Sequence, residues 1–432
     1  MTIHATLRDL IEQTPFVDTH EHLIEEGKRV RGEIGDRLFR CNDWAYLFSH
    51  YVDSDLISAG MPSQDHQRFF APEAPVEEKY RLIAPWWERV KHTGYAQAVR
   101  YTLRGLYGED DLNADTVHRI AEKYHALVKP GFYEHVLREK ANLEHCQVNS
   151  LQRIFMKSEQ PDLLRQDLSI VALSTGLNRA LVEAECGRTA ATLEGWLEII
   201  DWHFAEYGPL AVAVKNQSAY SRRLNYDRVT QEEAAPLFVR HASGEDLSPS
   251  EWKTLQDYLM RYCVQKATEQ GLPVKLHTGY YAGHGSMPLH RVRQNASDLC
   301  PLLQDFPDTR FVLMHVGYPY QDEFIALAKH YRNVSLDMCW AWIINPVAGV
   351  RFVMEFLMAA PANKLFTFGG DYIPVEPVYG HSRIARMGLA QALTELVEAG
   401  WIALEATPDL VERLMRGNAH ETFPVPGAAA PG

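Results

Sequence analysis

His20 and His22 stand two residues apart in the run Pro15-Phe-Val-Asp-Thr-His-Glu-His-Leu23. Apolar Phe16 and Val17 give way to polar residues, the pattern of a strand leaving a core. Alternate side chains of a strand share a face, so the two imidazoles point the same way and can grip one metal ion. An isolated His-x-His is more often a pair of unrelated surface residues. Three further strand ends alter that reading. His277 closes Val274-Lys-Leu-His277, His315 closes Val312-Leu-Met-His315, and Asp371 follows Phe368-Gly-Gly.

The elements that must position these groups follow from hydrophobic rhythm. Short apolar runs fall near 142–149, 169–174, 210–215, 273–277, 311–315, 334–338 and 365–369, with helical periodicity over 193–207, 251–270, 323–331 and 349–359. Strands alternating with helices imply parallel βαβ units. With the opening strand they number about eight, which closes a (β/α)₈ TIM barrel, an α/β fold. Active sites of such barrels sit at the C-terminal strand ends. His20, His22, His277, His315 and Asp371 are therefore expected at one mouth. The barrel is expected to span 1–423 as one domain. A helical insertion over about 42–140 should lie above strand one, its aromatics mostly insertion core with one or two lining the mouth. The stretch 424–432, rich in Pro, Ala and Gly, reads as a disordered tail.

Composition limits the class of function. A chain of 432 residues with 46% hydrophobic content can bury a large core. A formal charge of −13 argues against nucleic acid and against an anionic membrane surface. Six cysteines without Cys-x-x-Cys spacing read as reduced thiols of a cytoplasmic protein. Residues 1–13 lack the apolar centre of a signal peptide, and no run reaches the ~20 apolar residues of a membrane helix. The expected partner is a small-molecule substrate. Self-association as a homo-oligomer is compatible with this composition.

Two further features concern charge near the mouth. Lys215 ends predicted strand four and is followed by Gln-Ser-Ala-Tyr220-Ser-Arg222-Arg223. In an acidic chain this cationic, hydrogen-bonding patch suits a substrate carboxylate, with Lys215, Tyr220 and Arg222 as the binding residues. Arg223 reads instead as the start of a solvated helix. Asp18 and Lys275 lie two residues before His20 and His277, so each should face inward one layer below. There each needs a charged or hydrogen-bonding partner, the other included. The competing arrangement turns Lys275 outward among the helices.

Taken together, Val17-Asp-Thr-His-Glu-His22, Lys275-Leu-His-Thr-Gly279, Leu313-Met-His-Val-Gly-Tyr-Pro319, Phe368-Gly-Gly-Asp371 and a late Gly417-Asn-Ala resemble the amidohydrolase superfamily. The likeness is to its metal-dependent branch, which includes decarboxylases and barrel domains fused to glutamine synthetase. The long insertion resembles that of uronate isomerases. This resemblance implies one divalent metal on His20, His22 and Asp371, commonly with His277. Zinc is the first expectation, with manganese and iron as alternatives. It also implies a catalytic His315, and Asp371 as base as well as ligand. In some branches a lysine placed like Lys215 is carboxylated and bridges two metals, an alternative to its role as substrate anchor. The first expectation of function is cleavage of a C–N (amide) bond in a small carboxylate-bearing substrate by metal-activated water. Non-oxidative decarboxylation and uronate-type isomerisation on the same metal are the alternatives. A non-catalytic scaffold barrel is disfavoured by so complete a site.

Overall fold

The computed structural model describes residues 2–33, 35, 39–285 and 287–426. Eight strands form one parallel sheet in chain order. They are β1 Phe16–Glu21, β2 Leu143–Val148, β3 Leu164–Ser169, β4 Ala211–Asn216, β5 Val274–His277, β6 Phe311–Met314, β7 Val334–Asp337 and β8 Leu365–Phe366. Beyond the short β8, three backbone bonds bridge the seam to β1: Thr19 N–H to Phe368 O (3.0 Å), Asp371 N–H to His20 O (2.9 Å) and His22 N–H to Tyr372 O (2.9 Å). The result is the expected (β/α)₈ TIM barrel, nearly closed. Helices cover the outside, which is why runs such as Val212-Ala-Val are buried on both faces. Ser248 and Glu251 form a capping box that starts the helix Pro249–Glu269 leading into β5. Among the described residues no helix is long and apolar enough to cross a membrane.

One strand is displaced from its expected place. The apolar run at 169–174 is mostly a turn, and β3 lies upstream at Leu164–Ser169. Buried Gln166 and Asp167 make that strand look polar. Ile170 and Leu173 are buried in the turn that follows, with Ile170 N–H donating to Lys215 O at 3.0 Å.

Between β1 and β2 the chain is helical, from short turns at Glu26–Val30 and Trp44–Phe48 to Glu134–Lys140. Trp44, Phe48, Phe69 and Trp87 meet edge to face with ring centres 5.2 to 5.9 Å apart. Each such pair adds about 1 kcal/mol beyond its area burial. A second stack docks the insertion on the barrel: Tyr51 lies 4.7 Å from Trp340, past the end of β7, and 5.1 Å from Tyr95. Through this stack the insertion packs beside the C-terminal end of β7. At the far end of the chain Phe423 packs on Phe366 at 5.2 Å. Of the expected tail, 427–432 lie outside the described residues.

The barrel interior is charged. Lys275 is fully buried and donates to both Asp167 oxygens at 2.9 Å and to Thr19 O at 2.8 Å. Lys275 therefore points inward, and its partner is Asp167 rather than Asp18. Asp18 accepts from His20 N–H (3.0 Å) and Gly370 N–H (3.3 Å). Breaking a buried pair strands the remaining charge at a cost of about 3–5 kcal/mol, whereas replacing both partners is often neutral. Urea unfolding of Lys275→Met should show a loss of that size, and Lys275→Met/Asp167→Leu should recover most of it. A double variant no more stable than the single would contradict the pairing.

Candidate metal centre

β1 carries His20 into the mouth, and His22 follows just past its end. Nε2 of each lies 3.2 Å from Asp371 Oδ1. Donors on a tetrahedral ion with bonds of ~2.1 Å stand about 3.4 Å apart, so the three atoms are spaced as ligands of one ion. The tautomer of His22 agrees. Its Nδ1 lies 2.7 Å from Asn149 O, which can only accept, so the proton is on Nδ1 and the Nε2 lone pair faces the cluster.

Asp371 is aimed by an unusual backbone. Its φ is +60°, and His315 and Cys339 at the ends of β6 and β7 have φ of +65° and +43°. Non-glycine residues in this region cost about 1–3 kcal/mol each, and such strain clusters at functional sites. Three surroundings hold the turn. Asp371 N–H donates to His20 O, its carbonyl accepts from Tyr51 O–H at 2.6 Å, and Gly370 packs on Glu21. A Cβ at Gly370 would come within 1.8 Å of Glu21 Oε1, so a larger residue would displace that carboxylate.

His277 lies beside the cluster, not in it. Its Nε2 donates to Tyr280 O at 3.0 Å, which leaves Nδ1 to accept from His315 Nε2 at 2.9 Å. Both of its nitrogens are thereby engaged. His315 Nε2 is 3.9 Å from Asp371 Oδ2. His315, Asp371 and Cys339 place donor atoms within 4.8 Å of one another, as do His20, His22 and Asp371. Cys339 was invisible in sequence, one residue beyond an apolar run.

The cationic patch divides. Lys215 is buried and lines a cavity of about 660 Å³ together with His22, His277 and Asp371. Tyr220 lines it too, its ring 4.6 Å from that of His277 and its hydroxyl accepting from Ala282 N–H at 2.9 Å. Arg222 does not join them. It is engaged by Asp257 and Gln256 Oε1 of the helix Pro249–Glu269 and by Asn225 O of its own loop. Arg223 likewise pairs with Asp298. The insertion adds Tyr46, His50, Asp53, His66 and Phe70 to the cavity wall. Tyr46 and Phe70 are the insertion's phenyl-type rings among them. His50, at φ +77°, sits in a turn that no hydrophobic periodicity marks.

Burial governs the protonation states. It pushes His20 and His315 well below the usual histidine range, His50 down to about 4, and His277, with help from the Lys215 cation, down to about 3. Neutral imidazole is the form that binds metal. Burial opposes ionisation of Asp371 as well, but His20 and His22 outweigh it and hold that carboxyl well below its ordinary range. Two neutral imidazoles and one carboxylate fit a divalent transition ion.

A layer lower, Thr19 Oγ1 is 2.7 Å from Asp337 Oδ2 and 2.8 Å from Phe368 O. One hydroxyl hydrogen cannot serve two acceptors. A protonated Asp337 resolves this by donating to Thr19, which donates to Phe368. Burial pushes Asp337 from 3.8 up to about 7, in agreement.

Residues 215–425, from β4 through β8, match the family model Amidohydro_2, described as amidohydrolase, and the matched segment carries His277, His315 and Asp371 at its strand ends. Over that segment, just under half of its length, the chain resembles the amidohydrolase superfamily. Protein fluG of Emericella nidulans is 26% identical over 50% of the chain, which spans about a quarter (26%) of that relative's length. A uronate isomerase of Cutibacterium acnes is 23% identical over 97% of this chain and 95% of its own. The crystal structure of uronate isomerase from Thermotoga maritima superposes with a TM-score of 0.77 at 16% identity, covering 98% of this chain and 97% of that one. The barrel with its long insertion is thus a fold this chain shares with a uronate isomerase.

A neutral Asp337 gives a signed pH dependence. Its folded value is raised from 3.8 to about 7, so its contribution is full below 4 and lost as pH rises through 7. Asp337→Asn, whose amide replaces the donor and does not titrate, should gain on the wild type in melting temperature between pH 5 and pH 8. Equal differences at both values would show that Asp337 is ionised throughout.

Proposed function

We propose that this enzyme is a metal-dependent hydrolase that cleaves a C–N bond in a small carboxylate-bearing substrate. The observation that carries the reading is Lys215, a buried lysine in the wall of the cavity that holds His22 and Asp371. Among the described lining residues there is no arginine and no second lysine. A substrate carboxylate fits such a position, where low dielectric strengthens the pairing.

His20, His22 and Asp371 would hold the ion, zinc being the first candidate. A divalent ion there supplies Lewis-acid polarisation and an acidified water. Asp371 Oδ2, directed away from His20 and His22, would take the proton of the attacking water. His277, accepting from His315 Nε2, would hold the ring of His315 beside Asp371. Tyr51, Tyr95 and Trp340, stacked above, would keep bulk water out.

One observation favours a second reading. The likeness to a uronate isomerase runs the whole length of both chains. In that reading Asp371 and His315 would pass a proton between adjacent carbons of a sugar acid bound by Lys215. The two separate on a panel of N-acyl and γ-glutamyl compounds beside hexuronates. Amine or ammonia release supports hydrolysis; isomerisation of a hexuronate with solvent deuterium incorporated supports the second.

Under either, Asp371→Asn should lower kcat by ~10²–10⁴, the range of a lost general base, or more where metal is lost too. Lys215→Met should raise KM tenfold or more with metal content unchanged. Loss of metal in Lys215→Met would make the lysine a bridging ligand, and an active Asp371→Asn would remove Asp371 from the chemistry.

A further inference from the structure

The outer part of the cavity holds a second set of ligand-type side chains. Asp53 comes from the insertion helix Val52–Ser58, His66 from the helix Ser63–Phe69, and His284 from the loop after β5. Their donor atoms lie within 4.8 Å of one another, and all three residues line the cavity. His66 is only 5% exposed, and its Nε2 has no hydrogen-bond partner. A buried polar atom left in that state costs about 1–3 kcal/mol, so its persistence asks for an occupant. The nearest carboxylate oxygen is Asp53 Oδ2, 3.8 Å away. That is too far for a hydrogen bond and near the spacing of two ligands on one ion. Asp53 Oδ1 is already used by Ser54 N–H at 2.9 Å, which fixes the carboxylate with Oδ2 toward His66. The rings of His66 and His284 meet edge to face at 5.2 Å.

We propose that Asp53, His66 and His284 form a second divalent-cation site, at the mouth of the cavity and separate from the centre on His20, His22 and Asp371. Two imidazoles and a carboxylate select a borderline transition ion such as Zn²⁺ over Mg²⁺ or Ca²⁺, which prefer all-oxygen shells. Three protein ligands leave a coordination position for water or for a polar group of a ligand in the cavity. The site would also join the insertion to the β5 loop. His284 can move the remaining distance because Gly283 and Gly285 flank it, with φ of +98° and +95°. Binding would therefore order this loop over the mouth. None of this depends on what the inner cluster does.

The experiment is a count of tightly bound Zn²⁺, by titration of chelator-stripped full-length protein against a chromophoric competitor. Wild type should bind two equivalents, His284→Ala one and His22→Ala one, with the double variant binding none tightly. His284 is exposed, so its replacement should leave the far-ultraviolet circular dichroism unchanged. His66→Phe, which keeps the buried volume apolar, should also lose one equivalent. Wild type binding one equivalent that survives in His284→Ala and is lost in His22→Ala would overturn the mouth site and leave the inner centre standing. One equivalent lost in His284→Ala but kept in His22→Ala would support the mouth site and remove the inner one.

Discussion

A single backbone hydrogen bond, from Asp371 N–H to His20 O at 2.9 Å, ties together two of the residues whose side chains meet at the mouth. Together with the bonds from Thr19 N–H to Phe368 O and from His22 N–H to Tyr372 O it closes the barrel where β8 is only two residues long, and it sets the height of Asp371 against β1. Much of the neighbourhood serves this bond. Gly370 gives the space for it, the left-handed turn at Asp371 swings the carboxylate toward both imidazoles, and Tyr51 takes the carbonyl that the turn exposes. Because Tyr51 belongs to the insertion, the cover of the cavity and the aim of the carboxylate are mechanically one feature. The strain of the turn is offset by these contacts, as expected where function, not stability, fixes the conformation.

The buried interior below imposes a second constraint. Asp167 and Lys275 share their charge there, while Asp18 and Asp337 sit where burial raises each to about 7. Keeping carboxyls protonated avoids the cost of several unpaired negative charges in one barrel. Asp371 is the exception, its carboxyl lying well below the ordinary range beside His20 and His22. The low dielectric that makes Lys215 reluctant to carry charge also makes it an effective partner for an anion once one is bound.

The barrel was legible because the βα alternation is strong and because β1, β5, β6 and β8 each lead from apolar residues into a polar strand end. β3 was not, since Asp167 faces an interior that the hydrophobic pattern assumes to be oily, and buried Gln166 beside it adds a second polar residue to the strand. The convergence of His20, His22 and Asp371 was readable from register alone. The turning of Arg222 away from the cavity was not, since its direction depends on Asp257, distant in sequence and paired only in the fold. Nor could spacing reveal that His277 is held between Tyr280 O and His315, because a tautomer is fixed by partners and not by position. His50 and His66 reach the cavity through a helical insertion whose packing no periodicity encodes.

The central claim is that the chain's own residues form a metal centre at the β1–β8 seam. Crystals of protein purified with zinc or manganese, measured at the absorption edge of the metal, test it most directly. The account predicts an anomalous-difference peak about 2.0–2.2 Å from His20 Nε2, His22 Nε2 and Asp371 Oδ1. No peak among these three atoms in fully loaded protein would contradict it.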